Sequence, residues 1–138
     1  TEEVFIFICF NEETKIYDGY AIIRSKEIEK FRYWDEEEMA DVKKDNHDDF
    51  MNVLPLSKMN TFYDCLNVLI DQKLISIFTE KDNDSFYVGK ILDLNEHEVR
   101  LKLINEDSEW IDDESFKINE ITYIGFATSY EEKLQKKK

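Results

Sequence analysis

Ser85-Phe86-Tyr87-Val88-Gly89-Lys90-Ile91-Leu92-Asp93-Leu94 is the stretch whose reading decides the fold. Aromatic and branched residues carry it to the length of a long strand, and the glycine in its middle is where such a strand can bend. Four shorter apolar runs surround it: Leu74–Thr79 ahead, then Val99–Ile104, Phe116–Ile118 and Ile121–Phe126 behind. Asp82-Asn83-Asp84, Asn95-Glu96-His97 and an acidic loop separate them, so the second half reads as a meander of antiparallel strands.

The first half begins in the same way. Val4–Phe10 is an apolar run of strand length, followed by the polar turn Asn11–Thr14 and a second strand over Tyr17–Arg24, with Gly19 as a bulge or bend. A third strand is expected over Glu27–Trp34. Asp35 then has the character of a helix N-cap, with Glu38 completing a capping box for a short helix over about Glu36–Lys43. After the polar break Asp45–Asp49 and the apolar run that stops at Pro55, Ser57 is placed to cap the main amphipathic helix, to Lys73. Its stripe is Met59, Phe62, Leu66, Leu69, Ile70 and Lys73, widened by Cys65, and its expected role is core packing. A short terminal helix, capped by Ser129, ends in Lys136-Lys137-Lys138. The fold class expected is α+β, one domain over 1–138, a strongly bent antiparallel sheet with one main helix and a short C-terminal one. A faint internal repeat, 4–73 against 74–135, pairs the two opening hairpins; two short meanders also resemble each other by chance.

The second half, five short strands with a long bent second one, resembles the Sm-like small barrel. That resemblance implies a partly closed barrel with Gly89 at the bend of its long strand.

The formal net charge is −14. Phosphates need a basic stripe, so this balance argues against nucleic-acid binding, and equally against an anionic membrane surface. No apolar stretch is long enough to span a bilayer. Thr1-Glu2-Glu3 puts acids rather than a basic region ahead of Val4–Phe10, a poor signal-peptide pattern. Cys9 and Cys65 both sit in apolar contexts and read as small buried hydrophobes rather than a disulfide framework. A reducing, cytoplasmic setting is expected.

Catalytic signatures are missing. His47 and His97 stand in separate polar turns without Cys or His at metal-ligand spacing, and Asp82-Asn83-Asp84 lacks the glycine and distal glutamate of a calcium loop. There is no phosphate-cradling glycine loop and no nucleophile elbow. Neither enzyme activity nor a cofactor or metal is expected.

What stands out instead are two tryptophans embedded in acid. Trp34 precedes Asp35, Glu36, Glu37 and Glu38; Trp110 is flanked by Glu106, Asp107 and Glu109 before it and Asp112, Asp113 and Glu114 after it. Carboxylates at that density repel one another and suit a solvated face or a basic partner, while tryptophan adds an apolar anchor. The plain alternative is that each tryptophan closes one edge of a small core and the acids only keep the protein soluble. Small acidic α+β proteins of this kind, with Trp-linked acidic loops and the run Phe86-Tyr87-Val88-Gly89 through Glu109-Trp110, resemble bacterial immunity proteins of polymorphic or contact-dependent growth-inhibition toxin systems. The resemblance implies a tight complex with a basic toxin domain, often a nuclease, and a free protein that is a monomer or weak dimer. Two other classes compete: an Sm-like adaptor working through its strand edges, and an acidic nucleic-acid mimic that blocks a DNA-binding enzyme.

Overall fold

The computed structural model describes residues 4–11, 13, 16–24, 54–71, 74–80 and 82–136. Seven strands, β1 (Val4–Asn11), β2 (Ile16–Arg24), β3 (Ile75–Thr79), β4 (Asp82–Leu94), β5 (Glu98–Ile104), β6 (Trp110–Lys117) and β7 (Ile121–Phe126), form one antiparallel sheet in the order β1-β2-β7-β3-β4-β5-β6. Two α-helices, α1 (Phe62–Val68) and α2 (Ser129–Lys136), complete an α+β chain. The strand and helix expected over Glu27–Trp34 and Glu36–Lys43 lie outside the described residues, and so does the third strand that the internal repeat would need.

The connection between β6 and β7 forces the sheet to bend. Those strands stand at positions four spacings apart in the strand order, about 19 Å in a flat sheet. Only a 3₁₀ turn, Ile118–Glu120, joins them. At about 2 Å of rise per residue it bridges well under half that distance. The sheet therefore curls until its β6 end approaches the start of β7. It does not close: among the described residues β6 pairs only with β5 and β1 only with β2.

At Gly89 the neighbouring backbone approaches closely. The glycine pairs with Ile75 on one side and Leu103 on the other, and a Cβ there would stand 2.6 Å from the carbonyl oxygen of Lys102. Gly19 also behaves as expected: φ is +77°, the β1–β2 register slips beside it, and a Cβ would collide with the backbone of Phe126 and Ala127 at 2.7 Å.

Residues opposite each other in an antiparallel pair share a face. Tyr20 and Ile22 of β2, Ile75 and Ile77 of β3, Val99 and Leu101 of β5, and Ile124 and Phe126 of β7 fill the concave face. Helix α1 covers it with Phe62, Cys65 and Leu66, and the 3₁₀ turn that follows, Leu69–Asp71, adds Leu69. The expected stripe is buried at Met59, Phe62, Cys65, Leu66 and Leu69, but Ile70 is exposed. The helix is also shorter than its pattern. Ser57 lies in a separate 3₁₀ turn, Leu56–Lys58, and Thr61 is the cap, its Oγ1 accepting from the Asp64 amide at 3.1 Å. Both hydroxyl residues fit the cap pattern; Thr61 is the one whose amide partner is in reach.

Two further boundaries differ from expectation. Thr79 pairs with Asp82, so Asp82-Asn83-Asp84 belongs to β4 rather than to the turn between the strands. The acidic stretch before Phe116 is not a loop, because Trp110–Lys117 is a strand that ends where the 3₁₀ turn begins at Ile118.

Arg24, at the end of β2 and only 3% exposed, holds the β6–β7 corner. Its Nη1 donates to the carbonyls of Ile121 at 2.7 Å and Asn119 at 3.0 Å, and Nη2 to that of Ile118. The guanidinium lies 4.3 Å from the Phe62 ring centroid, a cation–π contact that ties the corner to α1. Arg24→Met should lower stability by about 3 kcal/mol or more, because buried carbonyls lose charge-assisted donors. Arg24→Lys should restore only part of that, since an ammonium lacks the planar fork. Urea unfolding with an unchanged m-value is the check, and wild-type stability in Arg24→Met would remove the corner from its structural role.

Candidate functional site

The site grows from the β5–β6 turn. Asn105 organises it: its Oδ1 accepts from the amides of Asp107 at 3.0 Å and Glu109 at 2.9 Å, while its own amide donates to the Glu109 carbonyl. Ser108 takes φ +61° and donates its amide back to the Asn105 carbonyl. This tight turn leaves Glu106, Asp107 and Glu109 exposed at the end of the sheet.

Trp110 opens β6 and is half-buried. It packs on the convex face against Leu74, Val88, Ile104 and Leu134, and the Lys102 ammonium stands 4.8 Å above its ring. The tryptophan thus closes a second, smaller core while keeping part of its surface in solvent. The acids after it do not face one way. A register shift separates the Ile104–Trp110 pair from the Lys102–Asp113 pair, and beyond it the strand alternates. Asp113 lies opposite Lys102 on the convex face. Glu114 lies opposite Leu101 on the concave face and is nevertheless exposed. Charges turned toward the core side of an edge strand deter edge-to-edge pairing. Asp112 falls within the shifted segment, also exposed. The other expected cluster, Trp34, Asp35, Glu36, Glu37 and Glu38, lies outside the described residues.

Helix α2 rests on the convex face and supplies the other wall. Its N-cap is Thr128, one residue before the serine that the sequence pattern points to. Thr128 and Glu131 form a capping box: the Thr128 amide donates to Glu131 Oε1 at 3.2 Å and its hydroxyl to Oε2 at 2.7 Å. Ser76 Oγ of β3 donates to the same Oε2 at 3.1 Å, so the buried carboxylate fastens helix to sheet. Asp18, beside the Gly19 bulge, accepts from the Ser129 amide at 2.7 Å and the Ser129 hydroxyl at 3.0 Å. An aromatic row continues across the face, Tyr123–Phe78–Phe86–Tyr130, with ring centroids 5.2 to 5.6 Å apart.

Between α2 and the ends of β4, β5 and β6 lies a groove of about 670 Å³, within the range of about 300–1,000 Å³ typical of binding pockets. Val88 and Leu134 form part of its floor, and Phe86, Ile111 and Tyr130 line it while 42%, 49% and 39% exposed. None of these three was singled out for binding by the sequence pattern. Ile111 was hidden by the acids around it, which mask strand alternation, and Phe86 and Tyr130 are brought together only by the docking of α2. A second cleft of about 410 Å³ lies at the β6–β7 corner, lined by Arg24, Thr61, His97 and Lys117 among others. His97 is exposed there, in a turn where the Asn95 Oδ1 accepts its amide at 2.8 Å.

Both cysteines are free thiols. Burial pushes the Cys65 thiol up to about 12, with Asp64 adding to it. The Tyr123 hydroxyl is likewise pushed up to about 12, by burial first and then by Cys9 and Glu131. The half-buried Cys9 thiol is raised by burial, Asp18 and Glu131. Neither thiol is activated as a nucleophile, since a reactive thiol needs a lowered pKa.

The chain matches no family model, no curated protein and no solved structure.

The raised acids have a consequence for stability. In the unfolded chain, thiols and phenols ionise in their ordinary ranges, about pH 8.5 and 10. Folded Cys65 and Tyr123 hold their protons to about 12. The unfolded state therefore binds fewer protons in that window, and stability falls as pH rises through it. The thermal midpoint should decline from about pH 8.5 upward, and a Cys65→Ala, Tyr123→Phe double variant should show a shallower decline. Equal slopes would mean that neither group is shielded as described.

Proposed function

We propose that the protein is an immunity protein: it binds a basic toxin domain in the bacterial cytoplasm and neutralises it through the acidic, Trp-bearing end of the sheet. The observation that carries this reading is β6. It is a free edge among the described residues, it exposes carboxylates on both faces, and the acidic β5–β6 turn continues it. Such an edge resists pairing with its own kind while its field draws in lysine and arginine. A nuclease, whose substrate groove must be positive, is the toxin chemistry this field suits best.

We read the last five strands, preceded by α1, as a partly closed Sm-like small barrel. The 13-residue β4 with Gly89 near its middle, the short β6–β7 corner and the return of β7 to β3 support that reading. The adaptor alternative needs an open strand edge for a copy of the same protein. Among the five barrel strands, β7 has its outer edge covered by β2 and β6 is lined with like charge, so at β6 a basic partner fits better than a second copy.

The test pairs this protein with a basic toxin domain encoded by a neighbouring gene, which the proposal requires to exist. Association should slow steeply with added salt. Replacing Asp112, Asp113 and Glu114 with Asn, Asn and Gln should reduce the association rate about fivefold or more at low salt and flatten the salt dependence. A neighbouring toxin that kills cells equally with and without this protein would overturn the reading.

A further inference from the structure

We infer that the groove between α2 and the β5–β6 turn is a docking site for a segment of a basic partner protein, one carrying an apolar anchor side chain flanked by lysine or arginine. This inference rests on the proposed binding of a basic protein and locates it. Three of the eight exposed large hydrophobic residues among the described ones, Phe86, Ile111 and Tyr130, converge on this one groove. They are not scattered surface residues of the kind that carry no meaning. Val88 and Leu134 give them an apolar floor.

The charge at the rim selects the occupant. Glu106 lines the groove close enough to Tyr130 to help raise its hydroxyl's pKa, after burial. Asp107 and Glu109 are exposed in the same turn. Lys133 is the single basic residue among the described residues that line the groove. An apolar slot with an acidic lip is complementary to an anchor between cations. The anchor supplies burial, and the flanking cations supply approach and orientation. Trp110, the neighbour of Ile111 in β6, packs on Val88, Ile104 and Leu134 and is not among the lining residues. It therefore supports the groove wall, and the anchor contact falls to Phe86, Ile111 and Tyr130.

Nuclear magnetic resonance on the whole chain tests this with three synthetic peptides that share a Phe-Leu core. They are flanked on both sides by lysine pairs, by serine pairs or by glutamate pairs. The lysine-flanked peptide should shift the amides of Val88, Ile104, Glu106, Ile111 and Leu134. It should bind about tenfold or more tighter than the serine-flanked peptide, and the glutamate-flanked peptide should bind weakest. Phe86→Ser and Ile111→Ser should each abolish the shifts without lowering the melting temperature appreciably, since both side chains are substantially exposed. Shifts confined to Asp112–Glu114 would overturn the groove and leave the basic-partner reading standing. Equal binding of the serine-flanked peptide would remove both. Groove shifts that grow with protein concentration in the absence of peptide would assign the groove to a second copy of this chain and overturn the inference.

Discussion

A three-residue corner governs this structure. Because Ile118–Glu120 must join strands that stand at opposite ends of the β3–β7 meander, the sheet has no flat solution. Curling brings three carbonyls, those of Ile118, Asn119 and Ile121, into the interior, where each would be costly without a donor. Arg24 meets that need from β2, a strand far away in sequence. The Ile118 amide donates to the His97 carbonyl and the Glu80 amide to the Glu120 carbonyl, so the turns on either side of the corner are tied to it as well.

The curl also divides the molecule into a concave face covered by α1 and a convex face covered by α2. The two helices are held by different chemistry. Helix α1 is held by apolar area, through Phe62, Cys65 and Leu66 and through Leu69 in the turn after it. Helix α2 offers Leu134 to a small cluster and depends on polar contacts at its N-terminus: Glu131 to Ser76 and Thr128, and Ser129 to Asp18. Polar pinning at one end leaves the rest of α2 standing beside the sheet, and the groove is the space that results. The same curl leaves β6 outermost, so Glu114 can occupy a core-facing register position and remain in water.

Where reading from sequence failed, it failed for local reasons. Asp112, Asp113 and Glu114 have poor strand propensity, and nothing near them in sequence argues for pairing. They are in a strand because Val99 and Leu101 of β5 dictate the register of Phe116 and Glu114 across from them. Ser57 and Thr61 both satisfy the pattern of a helix cap, and so do Thr128 and Ser129 within one residue of each other. Which hydroxyl caps depends on where the chain enters the helix, and packing against the sheet sets that.

The sequence by itself determined the α+β class, strands within one residue of Val4–Asn11, Glu98–Ile104 and Ile121–Phe126, the buried stripe from Met59 to Leu69, and Gly19 and Gly89 as positions where the backbone needs a glycine. Those features depend on side-chain period and on the presence or absence of a Cβ, both of which are local. The tertiary structure alone decided that Arg24 reaches the β6–β7 corner, that the acids after Trp110 alternate between two faces, and that Phe86, Ile111 and Tyr130 share one groove. Each of these joins residues from separate elements, and only the curvature of the sheet and the docking of α2 bring them within reach of one another.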